Sequence, residues 1–443
     1  MHRERINTCA GLLIGGALLW VALHPHAYAE TLQQAVELTV RSHPQALEAL
    51  NHRLAAEEAL KAVRGGYLPR VDIDGGIGRE HLDDPYSRSA GMSRDTFTRR
   101  QAGVTLTQML FDGFAVRSAV AGERARVDSS AYRIALTAEE LALRVAGAYL
   151  EVLRRHETIL AAKQNFNAHQ HLYHQIKRRS ESGVGRGADL AQAQARLALA
   201  LDTLRAEESA LKDAELEYLQ LVGSPPGELN KPPSPLRELP RNEESARTMA
   251  VANHPAVKAA KADVEFAQSL QDAAKAAFYP RFELAVAATH DNDRVRGLAD
   301  DQSVMLRIRY NLFQGGSDRA RVNQAGYQVR ELTETLNRTR RQVEEEAATA
   351  FNANVTARDR LPTLTQYAES SSATREAYAK QFSIGQRSLL DLLNAESEYY
   401  SARYSYITAQ YADVVTAYRV LASMGRLLSA LQLTVPSPAR PER

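Results

Sequence analysis

GFAVRSAVAGERARVDSSAYRIALTAEELALRVAGAYLEVLRRHETILAAKQNFNAHQHLYHQIKRRSES, residues 113–182, runs without a proline. Apolar residues recur in it every seven positions. Val127, Ile134, Leu141 and Ala148 form one row, and Ala131, Ala138, Val145, Val152 and Ile159 form a second. A sevenfold repeat held over several turns predicts one long helix in left-handed coiled-coil packing. At about 1.5 Å per residue, roughly 70 residues reach on the order of 100 Å. No compact domain needs such a helix. Two further rows obey the same rule: Leu190, Leu197, Leu204, Leu211 and Tyr218, then Leu393, Tyr400, Ile407, Val414, Leu421 and Leu428.

Outward from that helix the chain repeats itself. His43-Pro44 opens a helical stretch ending at Gly65-Gly66-Tyr67-Leu68-Pro69-Arg70, and His254-Pro255 opens one ending at Phe278-Tyr279-Pro280-Arg281. Leu110-Phe111-Asp112-Gly113 returns as Leu312-Phe313-Gln314-Gly315-Gly316. Val184-Gly185 with Asp189-Leu190 returns as Ile384-Gly385 with Asp391-Leu392. The order is kept at a long offset, so this is a duplicated half-molecule rather than a solenoid. We therefore expect a signal peptide over 1–29, a first repeat over 30–223, a proline-rich linker over 224–242, a second repeat over 243–430 and a tail over 431–443. Each repeat should hold short helices, two strands and two long helices. Thr31 with Gln34 suggests a capping box on the first short helix.

The strands announce themselves by alternation. Val71, Ile73 and Ile77 lie on one face, with Asp72 and Asp74 opposite; Val104 and Leu106 alternate with Thr105 and Thr107. Phe282, Leu284 and Val286 flank Glu283, and Val304, Leu306 and Ile308 flank Arg307 and Arg309. An apolar face backed by a charged one suits a strand between lipid and water. It also suits a sheet packed on a soluble core. Residues 82–99 and 290–302 are polar and read as exposed loops.

The N-terminus reads as a secretory signal: Arg3 and Arg5, an apolar run from Ala10 to Leu23, then Ala27-Tyr28-Ala29 before Glu30. Cys9 is the chain's only cysteine and lies inside that segment, so no disulfide, lipid anchor or cysteine-ligated metal is expected in the exported protein. The 443 residues carry a formal charge of +2, which leaves no basic footprint for nucleic acid. No phosphate loop, nucleophile elbow or zinc motif points to catalysis or a cofactor. His169, His171 and His174 share a helix without a carboxylate partner motif, so a solvated face is expected rather than a metal site.

Beyond the signal no stretch is apolar enough for a spanning helix, so any membrane passage must be made of β-strands. Four strands cannot close a barrel, and open edges in lipid leave backbone groups unpaired. The chain must then oligomerise, and three copies would supply twelve strands, an even number.

The duplicated layout resembles the TolC family of outer-membrane export channels. The resemblance rests on the Tyr-Leu-Pro-Arg and Tyr-Pro-Arg exits, the Leu-Phe-x-Gly re-entries and the turns Gly183-Val184-Gly185-Arg186 and Phe382-Ser383-Ile384-Gly385-Gln386-Arg387. It implies a mainly α fold with a small β part, in which a homotrimeric twelve-stranded barrel continues into a helical periplasmic tunnel. Thr107 to Gly113 and Leu389 to Glu396 look more like the type I secretion branch than the drug-efflux branch. That branch implies a periplasmic adaptor and an inner-membrane ABC transporter as partners, with outer-membrane lipid around the barrel. A drug or metal efflux channel is the alternative within the class, and a periplasmic coiled-coil adaptor the alternative outside it.

The same resemblance assigns roles to residues. Asp189 and Arg387 match an acidic and a basic partner of the entrance latch, and Phe382 stands where the prototype has tyrosine. Asp391 matches an aspartate of the pore constriction, and Asn394 replaces a second one. Gly183, Val184, Gly185, Arg186, Ile384 and Gly385 are the tips expected to meet the adaptor. Asp72, Asp74, Glu283, Arg307 and Arg309 are expected to face the barrel lumen. The plain alternatives are solvated turn charges, and for Asp391 a helix N-terminal charge favoured by the dipole.

Overall fold

The computed structural model describes residues 30–434, apart from 82, 84, 90, 92–95, 185 and 294–296. The expected signal peptide and most of the expected tail lie outside the described residues.

The chain opens with α1 (Leu32–Ser42), started by the Thr31–Gln34 capping box, and α2 (Pro44–Arg64). His43 Nδ1 accepts the N–H of Gln45, while Pro44 holds the first helical position. That proline has no N–H to satisfy, and its φ suits the helix start. In the second repeat, α6 (Glu243–Asn253) gives way to α7 (Pro255–Lys275), and His254 Nδ1 accepts from Ala256 in the same manner. Burial pushes both imidazoles below the ordinary histidine pKa, and for His43 the Arg144 guanidinium adds to the shift. The unprotonated nitrogen that caps the helix is thereby preserved.

α2 and α7 each end in one 3-10 turn, 65–67 and 276–278, before Pro69 and Pro280 force extended backbone. The strands β1 (Arg70–His81), β2 (Thr96–Phe111), β3 (Arg281–Asp293) and β4 (Gly297–Arg309) form one antiparallel sheet in the order β1-β2-β3-β4. A short helix, α3 (Pro85–Ser89), lies in the first connection. The expected loops 82–99 and 290–302 are thus too generous. The ladder runs on through Thr96–Arg99, Asp291–Asp293 and Gly297–Gln302, because backbone pairing does not stop where side chains turn polar.

Two long hairpins leave the sheet: α4 (Ala115–Glu181) with α5 (Gly187–Val222), and α8 (Ser317–Ser383) with α9 (Leu389–Ser423). Each first helix has 67 residues. Both sevenfold rows of α4 are buried throughout, from Val127 to Ile159. The row of α9 is buried at Leu393, Ile407, Val414 and Leu421, but Leu428 sits in a separate turn, α10 (Leu427–Ala430). The break is a Schellman cap: Gly425, at φ +65°, lets Arg426 N–H reach back to the Leu421 carbonyl at 2.9 Å. α8 also contains an interior proline, Pro362, which removes one ladder hydrogen bond without ending the helix.

The principal core lies where α1, α6 and α10 wrap the hairpins midway along them. Tyr149, Tyr218, Leu150 and Leu421 are fully enclosed there. Here Glu30 pairs with the linker at Leu229, and the Tyr149 hydroxyl lies 2.6 and 2.7 Å from the carbonyls of Glu30 and Asn230.

Candidate functional site

The far ends of the hairpins are built alike. Gly183 at φ +77° and Gly385 at φ +78° close α4 and α8 with Schellman caps, Val184 N–H reaching Arg179 and Gln386 N–H reaching Gln381. The left-handed backbone makes glycine the natural occupant. Val184 and Ile384 then project into solvent, with Arg186 exposed beside the first turn. Gly185 lies outside the described residues.

Behind these tips the two hairpins meet. Phe382 is buried among Leu172, Ile176, Leu389 and Leu392, with the Arg179 guanidinium 5.9 Å from its ring centre. Its role here is packing between hairpins, which needs no hydroxyl. Arg387 lies 4.1 Å from the ring centre of Tyr378, donates to Gln381 at 2.9 Å and stands 3.8 Å from Asp391. Within the chain it is therefore tied to its own hairpin, not to Asp189. Asp189 occupies the first turn of α5, as Asp391 does of α9, where a negative charge suits the helix dipole. Ser388 caps α9 by accepting the Asp391 N–H.

Sequence reasoning missed Arg196. It donates to Asn394 Oδ1 at 3.2 Å and joins α5 to α9. Its position, seven residues after Asp189, places it on the same helix face, and that spacing is the one signal that could have found it. Arg196 also bears on His169. This histidine is buried rather than solvated, and burial first, then Arg196, keeps its pKa low. Among the described residues no cluster of ligands suited to a metal occurs.

At the other end, the register sorts the strands into two faces. Ile73 lies opposite Val104, Val71 opposite Leu106, Leu106 opposite Val286, and Val286 opposite Val304. This apolar face is bare: Ile73 is 81% and Val304 71% exposed. The reverse face carries Asp72, Asp74, Glu283, Arg307 and Arg309. Arg70 pairs with Asp72 at 2.7 Å, and Gly103 leaves room for the Asp74 carboxylate, which a Cβ there would meet at 2.9 Å. Higher up, Arg99 bridges three strands by pairing with Glu80 at 3.1 Å and Asp291 at 2.5 Å. Sequence reasoning missed this cluster because Arg99 and Asp291 are 192 residues apart.

Between the two ends lies an aromatic junction. A bulge after Met109 brings Phe111 opposite Phe282. Phe114 stacks edge-on against both Phe111 and Tyr279, at 5.3 and 6.2 Å between ring centres. Gly113, at φ +72°, fits so closely that a Cβ would come 2.7 Å from the Ala276 carbonyl oxygen. Aromatic residues at the foot of a sheet with a bare apolar face are of the kind that a membrane interface favours.

The family model for outer membrane efflux proteins matches residues 36–224 and 246–426, once for each repeat. The chain belongs to the outer membrane efflux protein family. It is similar to outer membrane efflux protein BepC of Brucella suis, 25% identical over 79% of this chain and 77% of that protein. It is also similar to alkaline protease secretion protein AprF of Pseudomonas aeruginosa, 24% identical over 88% and 83%. Its fold matches the crystal structure of the Campylobacter jejuni CmeC outer membrane channel with a TM-score of 0.79 and 16% identity, over 89% of this chain and 86% of that one. The fold is therefore TolC-like, a mainly helical body with a small four-stranded sheet. As a member of this family the chain is an outer-membrane channel protein with a long periplasmic helical part, and not an enzyme.

Proposed function

We propose that three copies of this chain close a twelve-stranded barrel in the outer membrane, continued by a periplasmic helical tunnel. The channel would export a protein substrate, working with an inner-membrane ABC transporter and a periplasmic adaptor. The observation that carries the channel is the pair of open edges. β1 and β4 each pair on one side only, and an unpaired backbone group in hydrocarbon costs several kcal/mol. Joining β4 of one copy to β1 of the next removes every edge. The bare apolar face then meets lipid and the charged face lines the lumen.

Similarity to a protein named for protease secretion over most of this chain supports the secretion reading. The name of BepC supports efflux as the second reading, with a drug or a metal as the cargo proposed. Two complete hairpins and a lipid-compatible sheet argue against a periplasmic adaptor. At the entrance, Asp189, Arg387 and Phe382 serve as latch, Asp391 and Asn394 as constriction, and the 183–186 and 384–385 turns as adaptor contacts. Deleting the gene and comparing the secreted proteins with sensitivity to detergents and antibiotics separates the readings. Loss of one large exported protein with unchanged sensitivity is expected. Normal secretion with heightened sensitivity would transfer the assignment to efflux.

A further inference from the structure

The charged face of the sheet is not evenly charged. At its tunnel end, Arg281 lies directly opposite Arg309, and Arg307 lies opposite Glu283. Like charges placed across an antiparallel pair destabilise it. Among the described residues of β3 and β4, Glu283 is the one carboxylate that the register sets directly against these three arginines. Toward the outer end the sign reverses. Asp74, Gly103, Thr289 and Asp301 share one row across all four strands. Glu80 and Asp291 follow, and among the described residues of this face Arg99 is the cation that pairs with them.

We propose that the barrel passage is charge-polarised, with Arg281, Arg307 and Arg309 forming an anion-binding belt where the tunnel enters the barrel. This rests on the trimer and lumen reading above. Three arginines against one glutamate leave two net positive charges per chain and six in a trimer. A passage with low-dielectric walls focuses such a field. Guanidinium groups also suit carboxylates, because their planar donors match both oxygens. The ligand class is therefore anionic: mobile anions, and the acidic side chains of a polypeptide arriving from the tunnel. The acidic zone beyond it opposes retention and favours release outward.

The test uses the purified full-length trimer in a planar bilayer under a KCl gradient. Low ionic strength is needed, because the Debye length is already only about 10 Å at 0.1 M. Arg307→Ser with Arg309→Ser should lower the chloride-to-potassium permeability ratio by about threefold or more. Asp74→Asn with Asp301→Asn should raise it. An unchanged ratio in the arginine variant, with Asp391→Asn shifting it at the entrance, overturns the belt.

The lumen reading is tested separately. Cys9 is the chain's only cysteine and lies in the expected signal peptide, so Arg307→Cys and Ile308→Cys each present a single thiol. A membrane-impermeant cationic thiol reagent should modify Arg307→Cys and spare Ile308→Cys. The reverse pattern would overturn the lumen assignment itself. Access to Arg307→Cys with no shift of the ratio in the arginine variant would overturn only the belt.

Discussion

Glu139, deep in α4, accepts the backbone N–H groups of Leu427 and Leu428 at 2.9 and 3.3 Å, tying the first repeat to the end of the second. Its carboxylate is almost wholly enclosed, and burial raises its pKa to about 7 although the two N–H donors pull the other way. The sign of the stability effect follows. Between the ordinary carboxylate pKa and about 7 the folded state holds more protons than the unfolded one. Stability therefore falls as pH rises through that window and levels off above it. The span corresponds to on the order of 3 kcal/mol. Glu139→Gln should flatten the profile between pH 5 and 7 in denaturant titrations of the detergent-solubilised protein. An unaltered slope would mean that another group is responsible.

Gly113→Ala meets two obstacles at once, a left-handed backbone and a Cβ pressed against the Ala276 carbonyl and Tyr279. Gly223 has the same backbone hand at φ +86° but open space around it. Gly223→Ala should cost about 1 kcal/mol, and Gly113→Ala clearly more, because the junction between sheet and helices itself must shift. Thermal unfolding of the two variants side by side reads the difference. Equal losses would show that the close contact is not rigid.

Arg387→Ala removes contacts with Tyr378, Gln381 and Asp391 together. If those contacts hold the α8–α9 tip in its closed position, single-channel conductance should rise severalfold, and Asp189→Ala should add to it. The rise requires only a few kcal/mol of lost closed-state contacts. Conductance equal to wild type in the double variant would remove the latch from the proposal.

Tyr149→Phe deletes the hydroxyl shared by the Glu30 and Asn230 carbonyls. Two part-buried carbonyls then lose the hydroxyl, although Glu30 still accepts the Asn230 N–H at 3.2 Å, so the cost is about 1 kcal/mol. The linker around Lys231 should be cut faster in limited proteolysis, while the hairpins stay intact. Equal cutting rates would place the linker's anchorage elsewhere, for instance in the Lys231–Glu157 pair at 3.3 Å.

Much of this architecture is legible in the residues because it repeats locally. The sevenfold rows of α4 need only α-helical geometry to align, and all nine named positions are buried. The His-Pro pairs and the glycine turns at 183 and 385 act through their own backbone, so a sequence displays them directly. Period-two alternation similarly assigned the faces of β1 to β4. Its limit appears at the strand ends, where Thr96–Arg99 and Gly297–Gln302 remain in the ladder despite their polarity. Hydrogen bonding of the backbone, unlike lipid contact, makes no demand on side-chain character.

What only the tertiary structure decided are the pairings between distant segments. Arg196 meets Asn394 across 198 residues, Arg99 meets Asp291 across 192, and Glu139 meets Leu427 across 288. Nothing periodic marks such partners, since each depends on how two hairpins and four strands settle against one another. Arg387 is the converse, since within the chain it stands 3.8 Å from Asp391, four residues on and one helical turn away. Local patterns thus determined the elements and their faces. Packing determined which distant charges meet, because their separation depends on how the hairpins and strands settle against one another, which no one-dimensional spacing contains.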